Sequence, residues 1–321
     1  MRRIFVRVDV TDAVGTGEQL EVAASVVVGD TAPQDDPMVF VALPGGGYSR
    51  HYYDLDPPGY EGYSQAAFHA AAGDVFVALD HLGVGDSDIP GKRLDFDAVA
   101  LASCASAREI LRRLQTGELD GSLPALQPAA AIGLGQSYGG FMLTIAQALD
   151  PVFDGVGMLG WSGIQTLPPW AEGVDIAAIM SGQAGDGLDH PMRPWFHHPS
   201  EPDDLVLMDM TRPAGAVGAA QPWGAAYAPG GPNAGGRNPL DPGVVGAEAA
   251  AIKVPVMVAC GEIDVVGNPR AEPMAYPGSF DVTVSVFARM AHMHNFAPSR
   301  EALWRRLGSW GRTVAEGRLD A

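Results

Sequence analysis

The chain has 321 residues, 47% hydrophobic and 18% charged, enough apolar material for two domains or one large one and incompatible with wholesale disorder. Lys and Arg number 20 against 38 Asp and Glu, and the resulting net charge of −18 disfavours a nucleic-acid or anionic-membrane partner. Two cysteines, Cys104 and Cys260, leave room for one disulfide but not for a disulfide framework, a zinc finger or an iron–sulfur cluster.

The N-terminal MRRIFVRVDV lacks a long apolar run and a small-residue cleavage site, so it reads as a first strand and not a signal peptide. With no apolar stretch of about 18 residues, no membrane-spanning helix is expected and the cytoplasm is the default compartment. Ile4 to Val10 and Leu20 to Val28 are β-branched and read as strands. Met38 to Pro44 and Asp74 to Asp80 are short apolar runs that suit strands buried on both faces. Helical spacing is expected over Tyr60 to Ala72 and Asp97 to Leu114. Pro128 to Gly135 reads as a strand, Tyr138 to Leu149 as a helix and Gly155 to Trp161 as the next strand. This alternation predicts an α/β fold with a mostly parallel sheet.

The pattern then breaks. Between Ser162 and Ala250 lie 12 of the 26 prolines, among many glycines, which marks an irregular insertion with helical patches near Asp175 to Met180 and Glu201 to Met210. Strands resume at Val254 to Cys260 and Val282 to Phe287, and a last amphipathic helix spans about Ser299 to Val314. The expected division is a core of 1–161 and 251–321 with an insertion at 162–250.

Gly135, Ser137 and Gly139 form G-x-S-x-G between an apolar strand and a helical pattern. A serine on such a turn projects its hydroxyl from the sheet edge, and small neighbours let the backbone close. The alternative is a serine that merely caps the helix. A reactive serine needs a base, and the base needs an orienting acid, in the chain order Ser, acid, His. Asp264 follows the strand ending near Ala259, and His292 follows the last strand. Glu262 competes with Asp264 but sits nearer the strand, and His294 competes with His292.

These residues resemble the α/β-hydrolase superfamily. Asp80 to Ser87 is similar to its D-x-x-G-x-G-x-S loop, Leu43 to Tyr48 to its oxyanion loop, Gly261 to Asp264 to its G-x-x-D turn, and Ala291-His292 to its usual Gly-His. The resemblance implies an eight-stranded sheet with a cap inserted after the sixth strand. It also implies Ser137 as nucleophile, His292 as general base and acid, Asp264 as its orienter, and amides of Tyr138 and of Gly46 or Gly47 as oxyanion donors. Pro44 stands where the family commonly has histidine. No metal or organic cofactor is implied. A serine at the elbow sets the chain apart from the haloalkane dehalogenase and epoxide hydrolase branches, which the resemblance associates with aspartate.

The expected reaction is hydrolysis of a carboxylic ester or lactone through an acyl-enzyme. Rivals are a thioesterase or carbon–carbon bond hydrolase with the same residues, and a non-catalytic ligand-binding member of the fold. Tyr48, Tyr52, Trp161, Trp195 and His294 are candidate walls for a small apolar substrate, with part of Arg50 to Asp54 at the rim. Asp80 and His81 are expected to hold loop geometry, and Asp86 and Asp88 to be solvated. His190, His197 and His198 match no known metal-ligand spacing. The net charge does not bar a homodimer, because a local apolar patch can still associate.

Overall fold

The computed structural model describes residues 1–30, 36–92, 94–121, 123–167, 188–210 and 237–319. Among them, eight strands form one sheet: β1 (Arg2–Asp9), β2 (Glu21–Val28), β3 (Met38–Leu43), β4 (Val75–Leu79), β5 (Ala130–Gln136), β6 (Gly155–Leu159), β7 (Val256–Gly261) and β8 (Val282–Phe287). The spatial order is β1-β2-β4-β3-β5-β6-β7-β8. β2 pairs antiparallel with both β1 and β4, and every pairing from β4 across to β8 is parallel.

The helices are α1 (Thr11–Val14), α2 (Gln65–Ala71), α3 (Phe96–Thr116), α4 (Tyr138–Leu149), α5 (Arg193–Phe196), α6 (Asp203–Met210), α7 (Gly246–Ala251) and α8 (Arg300–Leu319). The central strands are apolar throughout because helices cover both faces. Val39 and Val41 of β3 and Val75 and Val77 of β4 face a core shared with α3 and α4. The alternate residues Met38, Phe40 and Phe76 face a second core with α2 and α8.

Helix boundaries follow capping. The Tyr60 to Ala72 prediction shortens to α2, because the Ser64 hydroxyl accepts from the Ala67 amide at 2.8 Å and starts the helix there. Asp95 caps α3 in the same way, and Gly117 at φ +73° ends it. In the insertion, Glu201 to Met210 appears as α6, whereas Asp175 to Met180 lies outside the described residues. Cys104 on α3 and Cys260 on β7 are both free and buried, so the disulfide left open by the sequence does not form. No helix among the described residues is long and apolar enough to cross a membrane.

A parallel arrangement sends the C-terminal ends of β3 to β8 to one edge, the place where open α/β sheets bind ligands. The segments leaving that edge carry Gly45 to Gly47, Asp80, Ser137, Asp264 and His292.

Candidate active site

Ser137 joins β5 to α4 at φ +53° and ψ −118°, a region that side chains other than glycine rarely occupy. The turn is held by the Ser137 amide donating to Leu159 O at 2.8 Å and the Gly140 amide donating to Ser137 O at 2.8 Å. Both motif glycines are sterically required. A Cβ on Gly135 would sit 2.4 Å from Gly139 O, and one on Gly139 would sit 2.1 Å from Leu43 O. The second close approach also brings the start of α4 against the loop after β3.

Three predicted residues meet in one hydrogen-bonded line. The Ser137 hydroxyl lies 2.9 Å from His292 Nε2, and His292 Nδ1 lies 2.7 Å from Asp264 Oδ1. Asp264 is also the acceptor for the amides of Gly261 and Val265, each at 2.8 Å. Burial alone would push its carboxyl up, but the neighbouring His294 and His292 outweigh that and hold it well below the usual carboxylate range. Glu262, the competing acid, instead accepts from the Arg289 amide and pairs with His198 at 2.9 Å. Gly160 makes room for this line: at φ +59°, its Cβ would lie 3.0 Å from His292 Nδ1 and 3.1 Å from Asp264 Oδ1.

Gln136, the unassigned position of the motif, ties two loops to the elbow. Its side-chain Nε2 donates to His292 O at 3.1 Å, and its side-chain oxygen fills the space that a Cβ on Gly45 would need. The Gly45 to Tyr48 turn closes through the Tyr48 amide and Gly45 O at 3.1 Å. Among the described residues, the amides of Gly46 and Gly47 take no hydrogen-bond partner. Together with the N-terminal end of α4, they offer donors to an anion formed beside Ser137. A histidine from the loop after β4 braces the residue before the glycines: His81 Nε2 donates to Pro44 O at 3.0 Å.

A model of the alpha/beta hydrolase family matches residues 38–303. The chain belongs to that family. Among solved structures, a thermophilic esterase from Thermogutta terrifontis is similar over 97% of this chain and 99% of its own, at 15% identity and TM-score 0.60. An N-acyl homoserine lactonase is similar over 98% and 97%, at 14% identity and TM-score 0.58. A haloalkane dehalogenase from Bradyrhizobium elkanii reaches 99% and 99%, at 14% identity and TM-score 0.62. At such identities these likenesses speak for the fold alone. No curated protein sequence matches the chain.

The hydrolase places its expected substrate walls in several different roles. Trp195 on α5 is the nearest to the expectation: its ring centroid lies 5.3 Å from that of His292, with Phe196 stacked on the same imidazole at 5.6 Å. Main-chain bonds fix that contact, His292 N to Trp195 O at 3.0 Å and Met293 N to Phe196 O at 2.8 Å. Trp161 packs into the core against Phe141 and over Gly140. Tyr52 is also core, its ring edge-on to Tyr48 and Tyr53 and its hydroxyl accepting from the Asn295 amide at 3.2 Å. His294 does not face an opening; its Nε2 lies 2.7 Å from Asp264 Oδ2.

Two further expectations hold in part. Within Arg50 to Asp54, Arg50, Tyr52 and Tyr53 are buried, with the Arg50 guanidinium bonding Asp80 and Asp86, while His51 is exposed; Asp86 is exposed, and Asp88 is partly exposed and paired with Arg7. The insertion also holds a polar network that no motif signals. His197 bridges Glu201 at 2.7 Å and Asp209 at 3.0 Å, and the Tyr48 hydroxyl donates to the same Asp209 oxygen at 2.7 Å. All four side chains are buried, so α6 is joined to the loop after β3 by hydrogen bonds shielded from water.

Proposed function

We propose that the chain is a serine hydrolase of carboxylic esters or lactones that works through an acyl-enzyme. The observation that carries this reading is the Ser137–His292–Asp264 line on a positive-φ elbow. In this mechanism His292 takes the Ser137 proton as the hydroxyl attacks the carbonyl. The amides of Tyr138, Gly46 and Gly47 receive the oxyanion, and such donors are each worth about 3–4 kcal/mol. His292 then protonates the leaving alcohol, and water repeats the sequence on the acyl group. Asp264 keeps His292 in the tautomer with hydrogen on Nδ1 and offsets the imidazolium charge.

Residues 162–250 act as the cap. The seating of Trp195 and Phe196 on His292 supports this, as does the tie from Asp209 to Tyr48. The leaving alcohol of an ester, or the alkoxide end of an opened lactone still tethered to its acyl chain, is protonated beside those aromatic side chains, which favours small apolar substrates. The likeness to an esterase and to a lactonase is consistent with both bond types.

The test pairs fluorophosphonate labelling with turnover of p-nitrophenyl esters and acyl lactones. Ser137→Ala abolishes labelling and lowers kcat by about 10⁶, and Asp264→Asn lowers kcat by about 10⁴ with the fold intact. Ester hydrolysis that survives Ser137→Ala refutes the assignment.

A further inference from the structure

Asp264 is the acceptor for two imidazoles, and the mechanism above uses one. We infer that His294 is a positioning residue for that reaction, a second imidazole whose hydrogen bond to Asp264 sets how firmly the carboxylate holds and supports His292. The inference rests on the proposed acyl-enzyme chemistry.

The geometry is specific. His294 Nε2 lies 2.7 Å from Asp264 Oδ2, and His292 Nδ1 lies 2.7 Å from the other oxygen, Oδ1. With the amides of Gly261 on Oδ2 and Val265 on Oδ1, each oxygen has two donors. A carboxylate held this way has no low-energy rotation left to it. His294 is 1% exposed, and its Nδ1 is buried with no hydrogen-bond partner among the described residues. A hydrogen on Nδ1 would be a buried donor without an acceptor, so the fitting tautomer carries its hydrogen on Nε2 and gives it to Asp264. The ring is anchored from its own backbone: the His294 amide donates to His292 O at 3.0 Å, and the Ala297 amide donates to His294 O at 3.1 Å.

The remaining groups facing this corner do not compete for its proton. Burial pushes the Tyr52 hydroxyl far above its usual range and the Cys260 thiol up to about 12. Glu272, beyond Cys260, is occupied by the Ser162 hydroxyl and the Gly163 amide. Glu262 is turned to His198 and the Arg289 amide.

Two consequences follow for catalysis. Donation from His294 draws negative charge toward Oδ2 and away from Oδ1, so Asp264 offsets the charge of the transition state less than an unshared carboxylate would. The same bond keeps Oδ1 in line with Nδ1. Losing it therefore strengthens that offset and loosens the aim of the imidazole, two effects that appear in different measurements.

The experiment compares wild type, His294→Leu and His294→Gln in pH profiles of ester hydrolysis, with ¹⁵N-histidine NMR of the low-field imidazole protons. In His294→Leu the acid limb of kcat/KM moves up by about half to one pH unit, kcat falls about tenfold, and KM stays within about twofold. His294→Gln, whose amide can donate to Oδ2, restores most of kcat and returns the limb toward wild type. Wild type shows two low-field protons, on His292 Nδ1 and His294 Nε2, and His294→Gln retains the one on His292. An acid limb that stays in place in folded His294→Leu overturns the inference, as does a single low-field proton in wild type. The NMR measurement needs no turnover and covers the case in which His294→Leu does not fold. It also separates the two readings: hydrolysis surviving in Ser137→Ala would sink the reaction assignment while leaving the two-imidazole carboxylate intact.

Discussion

Two segments adjoin the Ser137–His292 line, and they are held by different means. The loop after β3, Gly45 to Asp54, is fastened to the sheet. The Tyr53 hydroxyl donates to Leu43 O at 2.7 Å, His81 reaches Pro44 O, and Arg50 bonds Asp80, Asp86 and the Ser25 hydroxyl. The segment from Arg193 to Met210 seats Trp195 and Phe196 on His292. Main-chain bonds to the His292 loop and the His197–Asp209–Tyr48 network join it to the core. The first set of contacts belongs to the polar interior of the sheet, so disturbing it costs folding stability. The second set joins two parts that each have other support, so disturbing it costs function before stability.

Arg50 offers the largest test of that contrast. Its side chain is 5% exposed and that of Asp80 is fully buried. Burial pushes the Asp80 carboxyl up even though Arg50 opposes the shift. Arg50→Met removes the partner and leaves the carboxylate in the interior, at a cost of about 3–5 kcal/mol. Urea denaturation checks this. A loss below about 1 kcal/mol would mean that the loop after β3 is not part of the folding core.

A smaller effect separates the same loop by pH. Burial pushes the His81 imidazole down to about 4. Unfolded, it takes up a proton near pH 6.5. The unfolded chain therefore binds more protons between those values, and stability present at pH 7 is lost as pH falls toward 4. Between pH 7.5 and 5.0 this residue accounts for about 2 kcal/mol of lost stability. The gap in unfolding free energy between wild type and His81→Gln narrows by that amount over the same range. A gap independent of pH would show that the imidazole is not buried neutral.

The two segments also differ in how much the sequence discloses. The elbow, the Gly261–Asp264 turn and the Gly45–Tyr48 turn depend on main-chain geometry, and glycine is the residue that permits it. Gly135 and Gly139 mark close backbone approaches that a Cβ would prevent. The strands around them are legible for a related reason: a strand covered on both faces must be apolar along its whole length, as β3 and β4 are. Gly160 was hidden because a glycine at a strand end has many uses, and only the approach of His292 and Asp264 reveals this one. Tyr52 is expected as a substrate wall because it stands just beyond Gly45 to Gly47, and only the tertiary structure shows it buried with its hydroxyl bonded to the main chain. Asp209 and His197 carried no signal at all. They meet through tertiary packing at a separation of 12 residues, with α6 between the start of the insertion and the network it completes.

The smallest effects sharpen the account of the Arg193–Met210 segment, because it is tied to the core at two places of unlike burial. Asp209 accepts from the Tyr48 hydroxyl and from His197 in the interior, whereas the His198–Glu262 pair is partly open to water, with Glu262 44% exposed. An exposed pair is screened and contributes about 0–1 kcal/mol. A buried oxygen with two donors holds both more weakly when its charge is removed, because a neutral amide oxygen is a weaker acceptor than a carboxylate. Asp209→Asn therefore lowers kcat about tenfold through the Gly45–Tyr48 turn, while Glu262→Gln changes it less than about twofold. Fluorophosphonate labelling rates for the two variants make the comparison, since labelling needs the same amides but no leaving alcohol. Equal rates would place the control of the Gly45–Tyr48 turn in the sheet alone. A slower Asp209→Asn with unchanged unfolding free energy would show that the Arg193–Met210 segment acts on the site by aiming Tyr48 and not by holding the fold together.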